Sequence, residues 1–400
     1  MKQTRTQQNG NEHTDVQATN SRPRRRDITR RTRRISATLT AFTGVVAGAI
    51  ALTAPAGADP LMVNPIPGLN GITGLPALSG PAQPVSQMTG LMSANRTQDS
   101  NVLGTDLGIM WDNGAGEVLT AFGDTAGLGF PNLLQGSVWA WKSNVLFRSS
   151  DTGLSDGMDF TTTPRDASGS AKELLPSPKI PGVEISKIPT AGIADGNVQV
   201  MSIMSVREWG PAGHWTTNWS QLAFSADNGE NWALAPETSR PNEGGNANFQ
   251  MNAFLSDGGF VYVYGTPSGR GGMVHVARVP KGKMSDMGAY EYWDGGAWIR
   301  GNPDVAKPVT DEGVGELSVQ YNSYLGQYVM MTTDSFNNVI LRRSPNPIGP
   351  WGPAEVQVFA HELPTAYGAY MHPWSTGPDL YFMTTQHTNY NALLLRTSLG

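Results

Sequence analysis

The sequence predicts an all-β chain folded as a five-bladed β-propeller, and three observations lead there. Apolar runs that end in a basic or small polar residue and then a turn recur five times: "SNVLFRSSD" from Ser143, "SQLAFSADNGENW" from Ser220, "GMVHVARVPKG" from Gly272, "NVILRRSPNPIGPW" from Asn338 and "NALLLRTSLG" from Asn391. Their spacing leaves room for about four short strands per unit, which is the size of a propeller blade. Strands that alternate or run apolar lie between them, as in "GGFVYVYGT" (Gly258 to Thr266), "GQYVMMTTD" (Gly326 to Asp334) and "PDLYFMTTQ" (Pro378 to Gln386). The composition agrees: 47 Gly, 11 Trp and only 15% charged residues, with no sustained helical period, describe a chain of strands and tight turns. A β-sandwich array is the competing architecture.

The first 34 residues are a different object, carrying 10 of the 28 Lys and Arg but 3 of the 33 Asp and Glu. The remainder holds 18 basic and 30 acidic residues, a net charge of −12, which argues against a nucleic-acid partner because phosphate binding needs a basic face. The basic lead runs into an uncharged core, Ile35 to Thr53, and then Ala56-Gly57-Ala58, a small-residue cleavage pattern. Residues 1–58 are therefore expected to be an export signal and Asp59 the mature start. Thr32-Arg33-Arg34 fits the twin-arginine type, with an uncleaved anchor as the other option. Secretion or cell-envelope association follows as an expectation, with no stable membrane insertion once the signal is cut. The chain has no cysteine, so the core alone must hold the exported domain, expected as a monomer. Residues 59–98, dense in Pro and Gly, are expected as a linker or strap, and residues 99–400 as the propeller, closed by pairing of the C-terminal strand with the first strand near Asn101.

Within the second unit "SADNGENW", Ser225 to Trp232, has S-x-D-x-G-x-x-W spacing and resembles the Asp-box hairpin of sialidase-type propellers, a structural feature of the outer rim. Its Asp227 and Gly229 suit a tight turn.

The most informative stretch is "TDLGIMWDNGAGEVLTAFGDT", Thr105 to Thr125, two strands about the turn "DNGAG". Centring the turn on Ala115 pairs Met110 with Thr120, Gly108 with Phe122 and Asp106 with Asp124. Asp112 falls at the turn end and is expected as a turn former. Opposed aspartates destabilise a sheet, so folding alone does not explain Asp106 and Asp124. One of such a pair titrates high, giving the acid and base that glycoside cleavage needs. A calcium site, or two aspartates splayed apart by a bulge, explains the pair equally well at this point.

"DLGIMWDNGAGEVLTAFGDT", "WKSNVLFRSSD", "WSQLAFSADNGENW" and "GELSVQYNSYLGQYVMMTTD" followed by "SPNPIGPWG" resemble the secreted actinobacterial family long known as domain-of-unknown-function family 4185, over about residues 100–400. The resemblance implies a five-bladed propeller and an endo-D-arabinanase acting on the arabinan of arabinogalactan and lipoarabinomannan. It places the family's paired acids on Asp106 and Asp124. It also suggests a supporting acid at Glu316, with an ion-paired or capping role as the alternative.

Other candidates come from residue type alone. Asn144 and Asn197 are candidates to bond sugar hydroxyls, with turn roles as the commoner explanation. His372 is expected to line a pocket, since the other mature histidines, His214, His275, His361 and His387, lack metal-ligand spacing. In "EWGPAGHWTTNW", Trp215 and Trp219 are candidates for a sugar platform. No cofactor is expected, a structural calcium being left open. The rivals to the hydrolase are a non-catalytic carbohydrate-binding propeller and a sialidase-like exoglycosidase, the latter lacking an arginine-bearing motif in the first strand of the domain.

Overall fold

The computed structural model describes residues 75–129 and 139–400, so the expected export signal, its cleavage point and the first part of the expected strap lie outside the described residues. The architecture is the five-bladed β-propeller. The first strand, β1 (Ala82–Gln87), belongs to the last blade, and blade one holds β2 (Gly104–Asp112), β3 (Val118–Leu128), β4 (Trp139–Lys142) and β5 (Val145–Ser149). Blade two holds β6 (Ser186–Asp195), β7 (Val198–Trp209), β8 (Trp215–Ser225), β9 (Ala233–Leu234) and β10 (Arg240–Pro241). Blade three runs β11 (Met251–Asp257), β12 (Phe260–Thr266), β13 (His275–Pro280), β14 (Glu291–Trp293) and β15 (Trp298–Arg300). Blade four runs β16 (Ser318–Asn322), β17 (Gln327–Thr333), β18 (Val339–Ser344) and β19 (Glu355–Val358). Blade five is β20 (Ala366–Met371), β21 (Asp379–Gln386), β22 (Asn391–Ser398) and, outermost, β1 (Ala82–Gln87).

Period-two patterning explains how the blades stack. In β12, Val261 and Val263 join a core with Val200 and Leu222 of blade two, while Tyr262 and Tyr264 join a second core with Val319 and Met330 of blade four. In β17, Val329 and Met331 turn instead towards Leu380 and Phe382 of blade five. Successive side chains point to opposite faces of a strand, so one alternating run supplies two interfaces. Each fully buried Val, Leu or Phe contributes about 1.5–3 kcal/mol. Where an alternating position is polar it is bonded, as with the Tyr264 hydroxyl donating to the Pro347 carbonyl at 2.7 Å.

The Asp-box hairpin joins β8 to β9. Ser225 Oγ donates to Asp227 Oδ1 at 2.8 Å, Gly229 N–H donates to Ser225 Oγ at 2.9 Å, and Gly229 has φ +80°, which a glycine adopts without strain. Trp232 packs edge-on against Trp111 at 6.4 Å.

Ring closure differs from expectation. The strand that pairs with the C-terminal β22 is β1, in register from Ala82 opposite Thr397, and not a segment near Asn101. Residues expected as linker or strap thus supply the outer strand of blade five, because Ala82 is fully buried in its core and Met88 N–H donates to the Ala392 carbonyl at 2.8 Å. A chain shortened to begin at Met88 leaves β22 as an open edge and should melt roughly 5 °C or more below one beginning at Leu75; equal melting points would show that β1 adds nothing.

Candidate active site

The innermost strands are β2, β6, β11, β16 and β20, and their N-terminal ends surround a central cavity lined by Asp106, Trp209, Trp215, Arg270, Glu316 and Tyr367 among others. Their C-terminal ends surround a separate cavity at the opposite mouth.

Irregular pairing puts Asp106 at the cavity. The hairpin has the expected register at Met110 opposite Thr120, but two bulges intervene and Leu107, rather than Gly108, sits opposite Phe122. Asp106 therefore stands across from the Gly123-Asp124 step and not squarely opposite Asp124. The backbone is strained there, Leu107 at φ +69° and Gly108 at φ +101°, a conformation that costs free energy in a non-glycine residue and concentrates at functional sites. A Cβ on Gly123 would overlap Asp106 Oδ1, so the carboxyl lies against the backbone just before Asp124. The ladder is also interrupted on the other side of β3. Lys142 of β4 faces Thr125 and Val145 of β5 faces Phe122, which leaves Ser143 and Asn144 out of the pairing beside Gly123 and Asp124.

Both aspartates are buried, Asp106 7% and Asp124 2% exposed. Asp106 Oδ2 accepts from the Tyr367 hydroxyl at 2.9 Å, whereas Oδ1 has no partner. Asp124 Oδ1 accepts from Trp141 Nε1 at 2.8 Å and Ser186 Oγ at 2.6 Å. Burial raises Asp106 to about 7, with the Glu316 charge adding and Tyr367, Arg270 and Tyr390 opposing. Burial, then the charge of Asp106, holds Asp124 well above the usual carboxylate range. The two acids form one coupled unit that retains a proton near neutral pH. Asp106 lines the cavity; Asp124 sits one strand back.

Glu316 immediately precedes β16 and lines the same cavity, where Arg270 grips it through Nε to Oε2 at 2.9 Å and Nη2 to Oε1 at 2.7 Å. The guanidinium also lies over the Tyr367 ring at 4.4 Å and near the Trp215 ring at 5.4 Å. One chain of contacts thus runs from Glu316 through Arg270 and Tyr367 to Asp106. The bidentate pair engages both Glu316 oxygens and balances the Arg270 charge, which is a positioning geometry.

Of the remaining sequence candidates, Trp215 lines the cavity. Trp219 does not: it is half-buried in β8 opposite Ser205 and Pro241 and packs on the core. Asn144 is fully buried, its amide donating to the Leu175 and Lys187 carbonyls at 3.0 and 2.8 Å and accepting from Leu175 N–H at 2.8 Å, so it ties down the break between β4 and β5 instead of facing a ligand. Asn197 is exposed in the turn between β6 and β7, at the far end of β6 from the cavity. His372, beyond the C-terminal end of β20, is fully buried and pushed down to about 4 by burial, away from the Asp106 cavity. Asp112 caps its turn as expected, accepting from Gly114 N–H at 2.8 Å, and also takes the Trp374 indole N–H at 2.8 Å. Among the described residues no group of three or more His, Asp or Glu side chains is arranged to hold a metal.

Sequence reasoning missed Arg270, Tyr367 and Tyr390, and did not single out Trp209 within "EWGPAGHWTTNW". Arg270 alone carried a signal, a single cation in the glycine-rich "SGRGG" between two strands.

Replacing Tyr367 with Phe removes a donor that favours the Asp106 carboxylate, so the proton affinity of Asp106 should rise further, by roughly one pKa unit. Carboxyl-carbon NMR titration reads it, and an unchanged or lowered value contradicts the contact. Arg270→Leu strands the Glu316 charge in a buried site and should cost about 3–5 kcal/mol in urea unfolding; a near-neutral effect would mean that the ion pair holds nothing in place.

Known proteins give two kinds of likeness. Notoamide biosynthesis cluster protein J of Aspergillus sp. (strain MF297-2) is 28% identical over 315 residues, 73% of this chain and 82% of that protein. A crystal structure from Bacteroides ovatus ATCC 8483, named as a candidate hydrolase, superposes with TM-score 0.51 at 15% identity over 74% of this chain and 86% of that one, and shows a shared fold. An exo-beta-1,3-galactanase from Phanerochaete chrysosporium with bound beta-1,3-galactotriose gives TM-score 0.47 at 11% identity, covering 81% and 64%. Residues 92–396 match the family model described as "Domain of unknown function (DUF4185)", and the chain belongs to that family.

Proposed function

We propose that this protein is an exported glycoside hydrolase that cleaves internal D-arabinofuranosyl linkages of cell-envelope arabinan, with Asp106 and Asp124 as its paired acid and base and Glu316 in support. One observation carries the reading: two buried carboxyls on adjacent strands feel each other's charge, both are pushed towards the protonated form, and the cavity-lining member keeps one oxygen unpartnered. Native proteins pair almost all buried polar atoms, so an orphaned carboxyl oxygen at a cavity is a position kept for a ligand. In glycoside hydrolysis a carboxylic acid protonates the leaving oxygen while a carboxylate takes a proton from the attacking water or attacks the anomeric carbon itself. A pair that holds one proton near neutrality supplies both states.

A neutral sugar suits the cavity better than an anionic one. Arg270 is the cation of its lining and its charge is already balanced by the bidentate pair with Glu316, which disfavours a sialic acid carboxylate. The resemblance of the hairpin to arabinanase sequences supports arabinan among neutral glycans, and the basic, apolar leader supports export.

Asp106→Asn and Asp124→Asn should each lower turnover of purified arabinogalactan by about 10²–10⁴-fold while saccharide binding persists. Products are sized by chromatography, and wild-type protein that binds without cutting would replace the hydrolase with a carbohydrate-binding propeller. The same substitutions bear on stability with a definite sign. Folding raises Asp106 from 3.8 to about 7, so the folded state holds the proton more tightly than the unfolded chain. That contribution is whole below about pH 4 and is lost as pH rises towards 7. Asp106→Asn removes the loss and should stabilise the protein at pH 8 by on the order of 2 kcal/mol. Thermal melts from pH 4 to 8 check it, and a wild-type stability that rises across this window would contradict it.

A further inference from the structure

We propose that the cleft next to the Asp106 cavity is a second sugar-binding subsite, in which Phe336 stacks on one sugar unit and His387 hydrogen-bonds to it, while another unit of the same saccharide lies at Asp106. This rests on the arabinan-hydrolase reading and adds to it the direction and reach of the substrate.

The cleft, about 380 Å³, is walled by the β7–β8 and β12–β13 turns, the approach to β16 and the β17–β18 and β21–β22 turns. It shares Arg270 and Tyr367 with the Asp106 cavity, so the two adjoin along a common wall. Gly213, Gly271, Gly313 and Gly315 line it without side chains, letting a ligand lie close to the backbone. Its Lys and Arg content among the described lining residues is Arg270, held by Glu316, which fits an uncharged polyol.

Two side chains supply what a sugar ring needs. His387 Nε2 is buried without a partner, and the ring lies 6.3 Å from those of both Tyr367 and Tyr390. Burial, then the charge of Arg270, lowers its proton affinity, and a neutral imidazole both donates to and accepts from hydroxyls. Phe336 is 77% exposed at the β17–β18 turn, between Ser335 and Asn337, which line the cleft. The turn is set by Asp334 Oδ1, which accepts from Phe336 N–H at 2.9 Å and Asn338 N–H at 2.8 Å. Phe336 itself is outside the lining, and an exposed aromatic ring at the rim of a cleft can pack on the C–H face of a sugar.

Full-length wild type and Phe336→Ala are compared on an aryl arabinofuranoside, whose single sugar is too short to reach from Asp106 to Phe336, and on D-arabinofuranosyl oligosaccharides of increasing length. Wild-type kcat/KM should rise with length, and Phe336→Ala should lose roughly fivefold on the longer substrates, none on the aryl glycoside, and recover in Phe336→Tyr. Equal effects on both substrates, or none on the longer ones, overturn the subsite and leave the hydrolase reading standing. Calorimetric titration with the same oligosaccharides reads the cleft without turnover. Wild type that binds but does not cut, with Phe336→Ala binding more weakly, keeps the subsite and removes the hydrolase. Equal binding by the two proteins removes the subsite, and failure of wild type both to bind and to cut removes both.

Discussion

No blade of this protein can bury its own apolar surface. Alternate residues of β12, β17 and β21 belong to different cores, one on each side of the sheet, so each sheet is stable only between two neighbours. Hydrophobic burial, proportional to the area removed from water, is thereby shared around the ring and not concentrated in one centre. The inner strands meet as a consequence, and their N-terminal ends come together around one cavity although the residues there are far apart in sequence. Tyr367 and Asp106, bonded side chain to side chain, are separated by 261 positions.

Against that background the polar centre is expensive. Placing two carboxyls where water is excluded penalises their charged forms, and the bulges and positive φ values around Leu107 add backbone strain. Partial compensation comes from Tyr367, Trp141 and Ser186, each donating to a carboxyl oxygen, and from the Arg270–Glu316 pair. The donors are aromatic or anchored on strands, which fixes their direction at little entropic cost. A stable fold that carries such a local penalty is the usual signature of a site kept for chemistry.

The fold was legible because patterning is local. The alternation in "FVYVYGT" survives in the structure as two faces, and the Asp box closes through the hydrogen bonds its spacing implies. The aspartate pair was legible as a pair, since like charges in one hairpin contradict sheet energetics. What lay hidden was everything set by tertiary contact. An ideal register cannot show that β2 and β3 trade a residue on either side of Leu107 and then recover the expected pairing at Thr105 opposite Thr125. Asn144 looked like a ligand-facing amide, yet it is a buried clasp for backbone groups that the strand break leaves unpaired. His372 and Asn197 have sugar-binding chemistry but stand beyond the wrong ends of their strands, a distinction that depends on strand direction around the ring. The β1 pairing was misplaced because a strand of sequence "AQPVSQ" has neither the alternation nor the bulk of an inner strand; its partner supplies the order.

Joining β1 to β22 also makes one blade non-local. Ala82 meets Thr397 across a loop of more than 300 residues, so this contact carries the largest loop-closure entropy in the ring. Blades two to four consist of sequence-local strands, whereas blade five needs β22 to return to β1 from the far side of the ring. The ring therefore closes through one long-range clasp, β1 against β22, while every other blade is closed by strands that are neighbours in sequence.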